Sequence, residues 1–121
     1  MGWLARKAER ERLRSARVEP LRLAPVEVQI MGRASLDVLR ARNVSSTGLG
    51  VFVPHGFVGI DLADAVQLVV TLPGHRPFLA RGVIRHVTGS GADARHFGVE
   101  FTDIADRDRD AILKYVAARL G

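Results

Sequence analysis

The middle of the chain alternates short apolar runs with turn-forming residues, and this rhythm restricts the folds open to it. Turn signals recur about every eight to twelve residues, a spacing typical of small antiparallel barrels and sandwiches. The last strand-like run is followed by a segment with apolar residues at helical spacing. We predict strands over residues 21–30, 35–44, 48–53, 65–72, 78–87 and 94–102, and a helix over residues 106–120. The fold class expected is therefore mainly β, with one C-terminal helix.

Two local features refine this prediction. Pro25 interrupts the first strand-like run, and because proline cannot donate a ladder hydrogen bond, we expect a sheet edge or a bulge there. Asp103 or Asp106 could cap the N-terminus of the helical segment.

Length and composition limit the class of protein. A chain of 121 residues fits one domain, and a hydrophobic content of 47% supplies a core. We find neither a run of about 18 apolar residues nor a secretory leader, so we expect a cytoplasmic protein without a membrane span. The absence of cysteine excludes disulfides, thiol catalysis and cysteine metal sites.

The positive charge is concentrated at the N-terminus. Six basic residues fall within the first 17 positions, namely Arg6, Lys7, Arg10, Arg12, Arg14 and Arg17. We predict a basic arm over residues 1–18, as a mobile segment or a short helix, and a barrel domain over residues 19–121. Clustered arginines attract phosphates, so the partner could be a nucleotide, a nucleic acid or an anionic surface.

A polar turn lies between two predicted strands. Asn43, Ser45 and Gly48 complete the pattern [D/N]xSxxG, directly before the apolar run 49–53. As a bare pattern this is weak, because Asn, Ser and Gly are the common residues of any β-turn. Its position downstream of the arginines favours a binding site.

Taken in order, the arginine cluster, the Asn43–Gly48 turn and the run Gly98-Val99-Glu100-Phe101 resemble the PilZ family of bacterial cyclic di-GMP receptors. The resemblance extends over roughly residues 6 to 118. It implies a six-stranded antiparallel β-barrel with a C-terminal α-helix, which agrees with the number of strands predicted above. It also implies a binding module for cyclic di-GMP and no cofactor.

The resemblance assigns roles to the turn. Asn43 would bind a guanine edge, Ser45 would hydrogen-bond the base or a phosphate, and Gly48 would allow a tight backbone path. The residues from His96 to Phe101 would be scaffold. Cyclic di-GMP offers phosphates and guanine O6 and N7 acceptors, which the planar fork of arginine matches.

The arginine pair of the family, RxxxR, has an ambiguous register here. Arg6/Arg10 and Arg10/Arg14 match it literally, whereas Arg17 lies nearest the first strand but has Leu13 four residues before it. We expect Arg14 to contribute most, followed by Arg10 and Arg17. Either Arg10 and Arg14 bind and are followed by a longer connector, or Arg14 and Arg17 bind with altered spacing. A third possibility is a degenerate motif with weak binding.

Three functions remain open at this point. The first is a cyclic di-GMP effector that changes its surface for an unidentified protein partner. The second is a PilZ-fold adaptor that binds no nucleotide. The third is a small basic nucleic-acid-binding barrel, which is disfavoured because the chain has few aromatic residues for base stacking. Scattered histidines and the lack of HExxH, P-loop or GxGxxG motifs predict neither an enzyme nor a metal site.

Overall fold

A computed structural model gives the fold and describes residues 2–31, 36–54, 57, 59–89 and 96–121. For residues 3–7, 9, 10, 36 and 37 only the backbone is described. The elements are α1 (Gly2–Ser15), β1 (Glu27–Met31), β2 (Leu36–Ser45), β3 (Gly48–Phe52), β4 (Ala65–Thr71), β5 (Phe78–Thr88), β6 (His96–Ile104) and α2 (Asp106–Leu120). The predicted basic arm thus forms a helix along most of its length.

The six strands close into an antiparallel barrel. Their order around the barrel is β1-β2-β3-β6-β5-β4, and β1 pairs with both β2 and β4. This confirms the six-stranded barrel followed by a helix. Because β3 lies between β2 and β6, the turn that joins β2 to β3 is placed beside the last strand.

Alternation along each strand builds the core. On β3, Leu49 and Val51 are fully buried, and on β6 the side chains of Phe97 and Val99 point into the same interior. Each such side chain contributes about 1.5–3 kcal/mol on burial. Helix α2 packs against β2 and α1. The outer faces of β3 and β6 are thereby left to carry a site.

The first strand differs from the prediction of a strand over residues 21–30. β1 begins only at Glu27, and Leu23 before it is 96% exposed. The Ala24 N–H donates to the Leu21 carbonyl at 3.1 Å, which closes a turn instead of a ladder. The expected edge or bulge at Pro25 is also wrong, because Pro25 precedes a strand that is paired on both sides.

The ends of α2 were predicted correctly, but its cap was not. The N-cap is Ala105, which has no side chain able to accept a hydrogen bond from the first turn. Asp106 and Asp108 lie in that first turn instead, where their charge stabilises the positive end of the helix dipole. Ile112 and Val116 are the buried residues of its apolar face.

Candidate functional site

The turn between β2 and β3 is held together by Ser45. Its Oγ accepts the Thr47 N–H at 3.3 Å, donates to the Gly48 carbonyl at 3.1 Å and lies 3.1 Å from Thr47 Oγ1. The residue is only 1% exposed. In this conformation the hydroxyl therefore stabilises the turn and offers no surface to a ligand.

Gly48 lets β3 approach β6 closely. A Cβ built on Gly48 would overlap the Val99 carbonyl oxygen and come within 3.2 Å of the Glu100 Cα. Both neighbours are backbone atoms of a paired strand, so neither can move aside cheaply. Glycine at this position is required by strand packing, whatever its role toward a ligand.

Arg17 and Asn43 meet on the outer face of the barrel. Arg17 Nη1 donates to Asn43 Oδ1 at 2.6 Å, and the same oxygen accepts the Gly50 N–H at 3.1 Å. Since both donors fix the amide oxygen, the amide NH₂ of Asn43 is directed away from them and can donate to another acceptor.

Arg17 is positioned by its own backbone neighbour. The Val18 N–H donates to the Val44 carbonyl at 3.0 Å, and the Val44 N–H returns a bond to Val18 at 2.9 Å. Val18 is also buried in the core. This bridge brings the end of the basic segment against β2, one residue from Asn43.

The other candidate arginines are placed less directly. The Ser46 hydroxyl donates to the Arg14 carbonyl at 3.1 Å, which ties the end of α1 to the turn, while the Arg14 side chain is exposed. Arg10 lies in α1, but its side chain is outside the described part of the chain. Leu13 packs partly buried against the core, in the position where RxxxR would place the partner of Arg17.

A pocket of about 540 Å³ opens beside the turn, between β5, β6 and the first turn of α2. Its lining includes Arg17, Thr47, Arg85, Gly98, Glu100 and Arg109. Within it, Arg85 Nε lies 3.4 Å from Glu100 Oε2, with both side chains about half exposed. Such an exposed ion pair is weak, so Arg85 can exchange its partner at little cost.

Several of these residues were not identified from the sequence. The run from His96 to Phe101 was interpreted as scaffold, and Phe97 and Val99 do face the core. Period-two alternation already places Gly98 and Glu100 on the opposite face, which is the signal that could have found them. No local signal links Arg109 to the turn, because only the closed barrel brings α2 beside it.

Among the residues that the structure describes, no three His, Asp or Glu side chains form a group able to hold a metal ion. None of the helices in the described ranges has the length and apolar character needed to cross a membrane.

The structure is thus a closed antiparallel barrel with a C-terminal helix, and it carries a polar turn and an arginine-lined pocket on its outer face. The sequence profile of the PilZ domain matches residues 6–118, and the chain therefore belongs to the PilZ domain family. Proteins of this family are receptors and adaptors, and no catalytic family is indicated.

Three solved structures from named organisms are similar to this chain in fold. Bacillus subtilis inhibitor of motility, MotI/DgrA, has a TM-score of 0.72 at 23% identity, covering 86% of this chain and 49% of that one. The PilZ domain of Escherichia coli YcgR with c-di-GMP has a TM-score of 0.70 at 11% identity, covering 87% and 88%. Borreliella burgdorferi PlzA in complex with c-di-GMP has a TM-score of 0.63 at 11% identity, covering 98% and 57%.

At these identities the likeness demonstrates a shared fold. The chain spans about half the length of MotI/DgrA. No curated protein matches the chain.

Proposed function

We propose that this protein is a cyclic di-GMP receptor that binds its ligand on the outer face formed by Arg17, Asn43 and the β2–β3 turn. The observation that carries the proposal is the 2.6 Å hydrogen bond between Arg17 and Asn43. These residues lie 26 positions apart, and they belong to the two separate segments that the family motif uses. Two structural neighbours, YcgR and PlzA, contain c-di-GMP.

The chemistry of the pair suits a guanine dinucleotide. The Arg17 guanidinium has five N–H donors, and the bond to Asn43 uses one of its terminal nitrogens. Its remaining donors can bind a phosphate or the O6/N7 edge of guanine. The amide NH₂ of Asn43 supplies a further donor beside them.

The other motif residues take supporting roles in this proposal. Arg14 is carried next to the turn by the Ser46 hydrogen bond, and Arg10 lies one helical turn before it on α1. We rank Arg17 first, then Arg14 and Arg10, in place of the order expected from the sequence, because among the described side chains Arg17 is the arginine hydrogen-bonded to Asn43. Ser45 and Gly48 contribute by setting the path of the turn.

Calorimetric titration of the full chain with cyclic di-GMP, with GTP as the control, tests the function. We expect saturable binding of cyclic di-GMP and none of GTP at the same concentrations, because GTP supplies only one base. Absence of cyclic di-GMP binding by a protein that melts cooperatively would remove the receptor function.

A specific observation favours one alternative. Leu13 occupies the partner position of Arg17 and packs against the core, so the arginine pair is incomplete in that register. In that case the barrel would act as an adaptor that binds a protein partner without a nucleotide. Titration separates the two, since the adaptor gives no heat with cyclic di-GMP.

Ser45→Ala should lower the affinity for cyclic di-GMP about three- to tenfold. The variant loses the hydroxyl that bonds Thr47 and Gly48, and each net hydrogen bond is worth roughly 0.5–1.5 kcal/mol. Titration measures the loss. Ser15→Ala is the control, because that exposed hydroxyl bonds only to carbonyls within α1. Equal affinities of the two variants would contradict a role for Ser45.

Ligand binding should slow amide hydrogen exchange over residues 3–18. The end of α1 is joined to the turn by the Ser46–Arg14 bond, so a ligand held at the turn stabilises the helix beside it. Mass spectrometry of exchanged peptides measures the change, with β4 (residues 65–71) as the internal reference, because no residue of that strand is assigned to the ligand. Equal exchange with and without ligand would exclude ordering of the N-terminal segment.

We further propose that the receptor acts in the cytoplasm and that ordering of α1 changes the surface seen by a protein partner. Ordering of a segment by a small ligand is an established way to switch an interface. The link from the turn to α1 through Ser46 provides the physical connection.

A further inference from the structure

The pocket beside the turn carries a charge that matches a doubly charged ligand. Arg17, Arg85 and Arg109 bring three positive charges into it, and Glu100 brings one negative charge. The formal charges of these four side chains sum to two positive. A cyclic dinucleotide has two phosphodiester groups and hence two negative charges, so ligand and pocket would neutralise each other.

The position of Arg109 in this pocket is not accounted for by a role in stabilising the fold. It lies in the first turn of α2, where a positive charge is disfavoured by the helix dipole. Within the described residues its guanidinium has no hydrogen bond or ion pair, whereas Arg107 approaches Asp108 at 4.0 Å. An unpaired arginine facing a pocket is available to bind an anion.

The floor of the pocket at Gly98 and the wall formed by Arg85 allow a ligand to approach closely. Gly98 has no side chain, so the strand surface is open to a ligand at this point. A Cβ there would come within 3.0 Å of the His86 Cβ. Arg85 is held only by the exposed pair with Glu100. A phosphate entering the pocket can replace Glu100 as the partner of Arg85.

We infer that Arg109, together with Arg85, binds a phosphate of the ligand. Arg109 thereby supplies the positive charge that the arginine motif lacks, because Leu13 stands four residues before Arg17. This inference rests on the proposed function, because it takes the ligand to be cyclic di-GMP. Arg17 and Asn43 then contact the ligand from the side of the N-terminal segment, and residues of β5 and α2 contact it from the opposite side.

Titration of Arg109→Ala with cyclic di-GMP tests the inference. Affinity is expected to fall about tenfold or more, which is the range for losing a charge-assisted contact. Arg107→Ala is the matched control, since it removes the same charge from the same helix turn outside the pocket lining. Arg109→Lys should recover part of the affinity, because lysine keeps the charge but not the planar fork.

The substitution Glu100→Gln should change the affinity in the opposite direction. Removing the carboxylate raises the positive charge of the pocket and releases Arg85, so affinity for cyclic di-GMP should rise severalfold. Equal melting temperatures of all variants would show that the changes in affinity do not arise from a loss of stability.

The outcomes separate this inference from the function on which it rests. If the parent protein does not bind cyclic di-GMP, the proposed function fails and takes the inference with it. If the parent binds but Arg109→Ala and Arg107→Ala bind equally, the function stands and the inference is overturned. A fall in affinity for Glu100→Gln would assign the carboxylate to the ligand and overturn the competition with Arg85.

Discussion

Replacing Gly48 by alanine is expected to destabilise the barrel by about 2–4 kcal/mol. The new methyl group would overlap the Val99 carbonyl oxygen, so β3 and β6 would have to separate where Gly48 pairs with Glu100. Urea denaturation followed by circular dichroism measures the loss. Ligand binding should weaken along with the fold, because the turn before Gly48 would shift.

Gly50→Ala is the matched control for this experiment. It lies on the same strand and the same face, but its Cβ would meet the side chain of Asn43 at 3.1 Å instead of backbone. A side chain can adjust, so the stability loss should be much smaller, while displacement of Asn43 weakens binding. Equal urea midpoints for the two variants would show that the Val99 contact does not limit the fold.

Arg17→Ala is expected to lower the affinity for cyclic di-GMP about ten- to a hundredfold. The variant loses a charge-assisted ligand contact and also the donor that orients the Asn43 amide. Its stability should change by no more than about 0.5 kcal/mol, because the side chain is exposed and the Val18–Val44 bridge remains. Calorimetric titration and thermal melting measure the two quantities separately.

Arg22→Ala controls for the loss of one surface charge, since Arg22 is exposed in the turn that follows the same segment. It should bind like the parent. If Arg14→Ala loses more affinity than Arg17→Ala, the site is centred on α1 and the ranking proposed above is wrong. If Arg17→Ala binds like Arg22→Ala, the hydrogen bond to Asn43 serves only the local structure.

Most of the barrel could be predicted because its strands obey simple alternation. On β4, Val66, Leu68 and Val70 are buried in strict period two, and the predicted strand differs from the observed one by a single residue. The segment from Leu21 to Ala24 alternates as well, yet it forms a turn. Alternation records which side chains are apolar but not whether a partner strand is within reach.

The candidate site was predictable in part for a similar reason. The turn pattern drew attention to Asn43, Ser45 and Gly48. In the structure Ser45 and Gly48 flank the turn, whereas Asn43 lies within β2 and pairs with Gly50. The burial of Ser45 could not be foreseen, because the same hydroxyl can face the turn or a ligand. The pairing of Arg17 with Asn43 depends on the Val18–Val44 bridge, a contact between distant segments that no local pattern encodes.

Closure of the sheet limits how the receptor proposed above could transmit a signal. Each of the six strands that the structure describes is paired on both sides, so these strands leave no open edge onto which another chain could add a strand. A protein partner of the proposed receptor would therefore recognise side chains on the outer face or on the helices. Recognition of that kind is sensitive to single substitutions, so it should be possible to abolish signalling by a surface change that leaves ligand affinity intact.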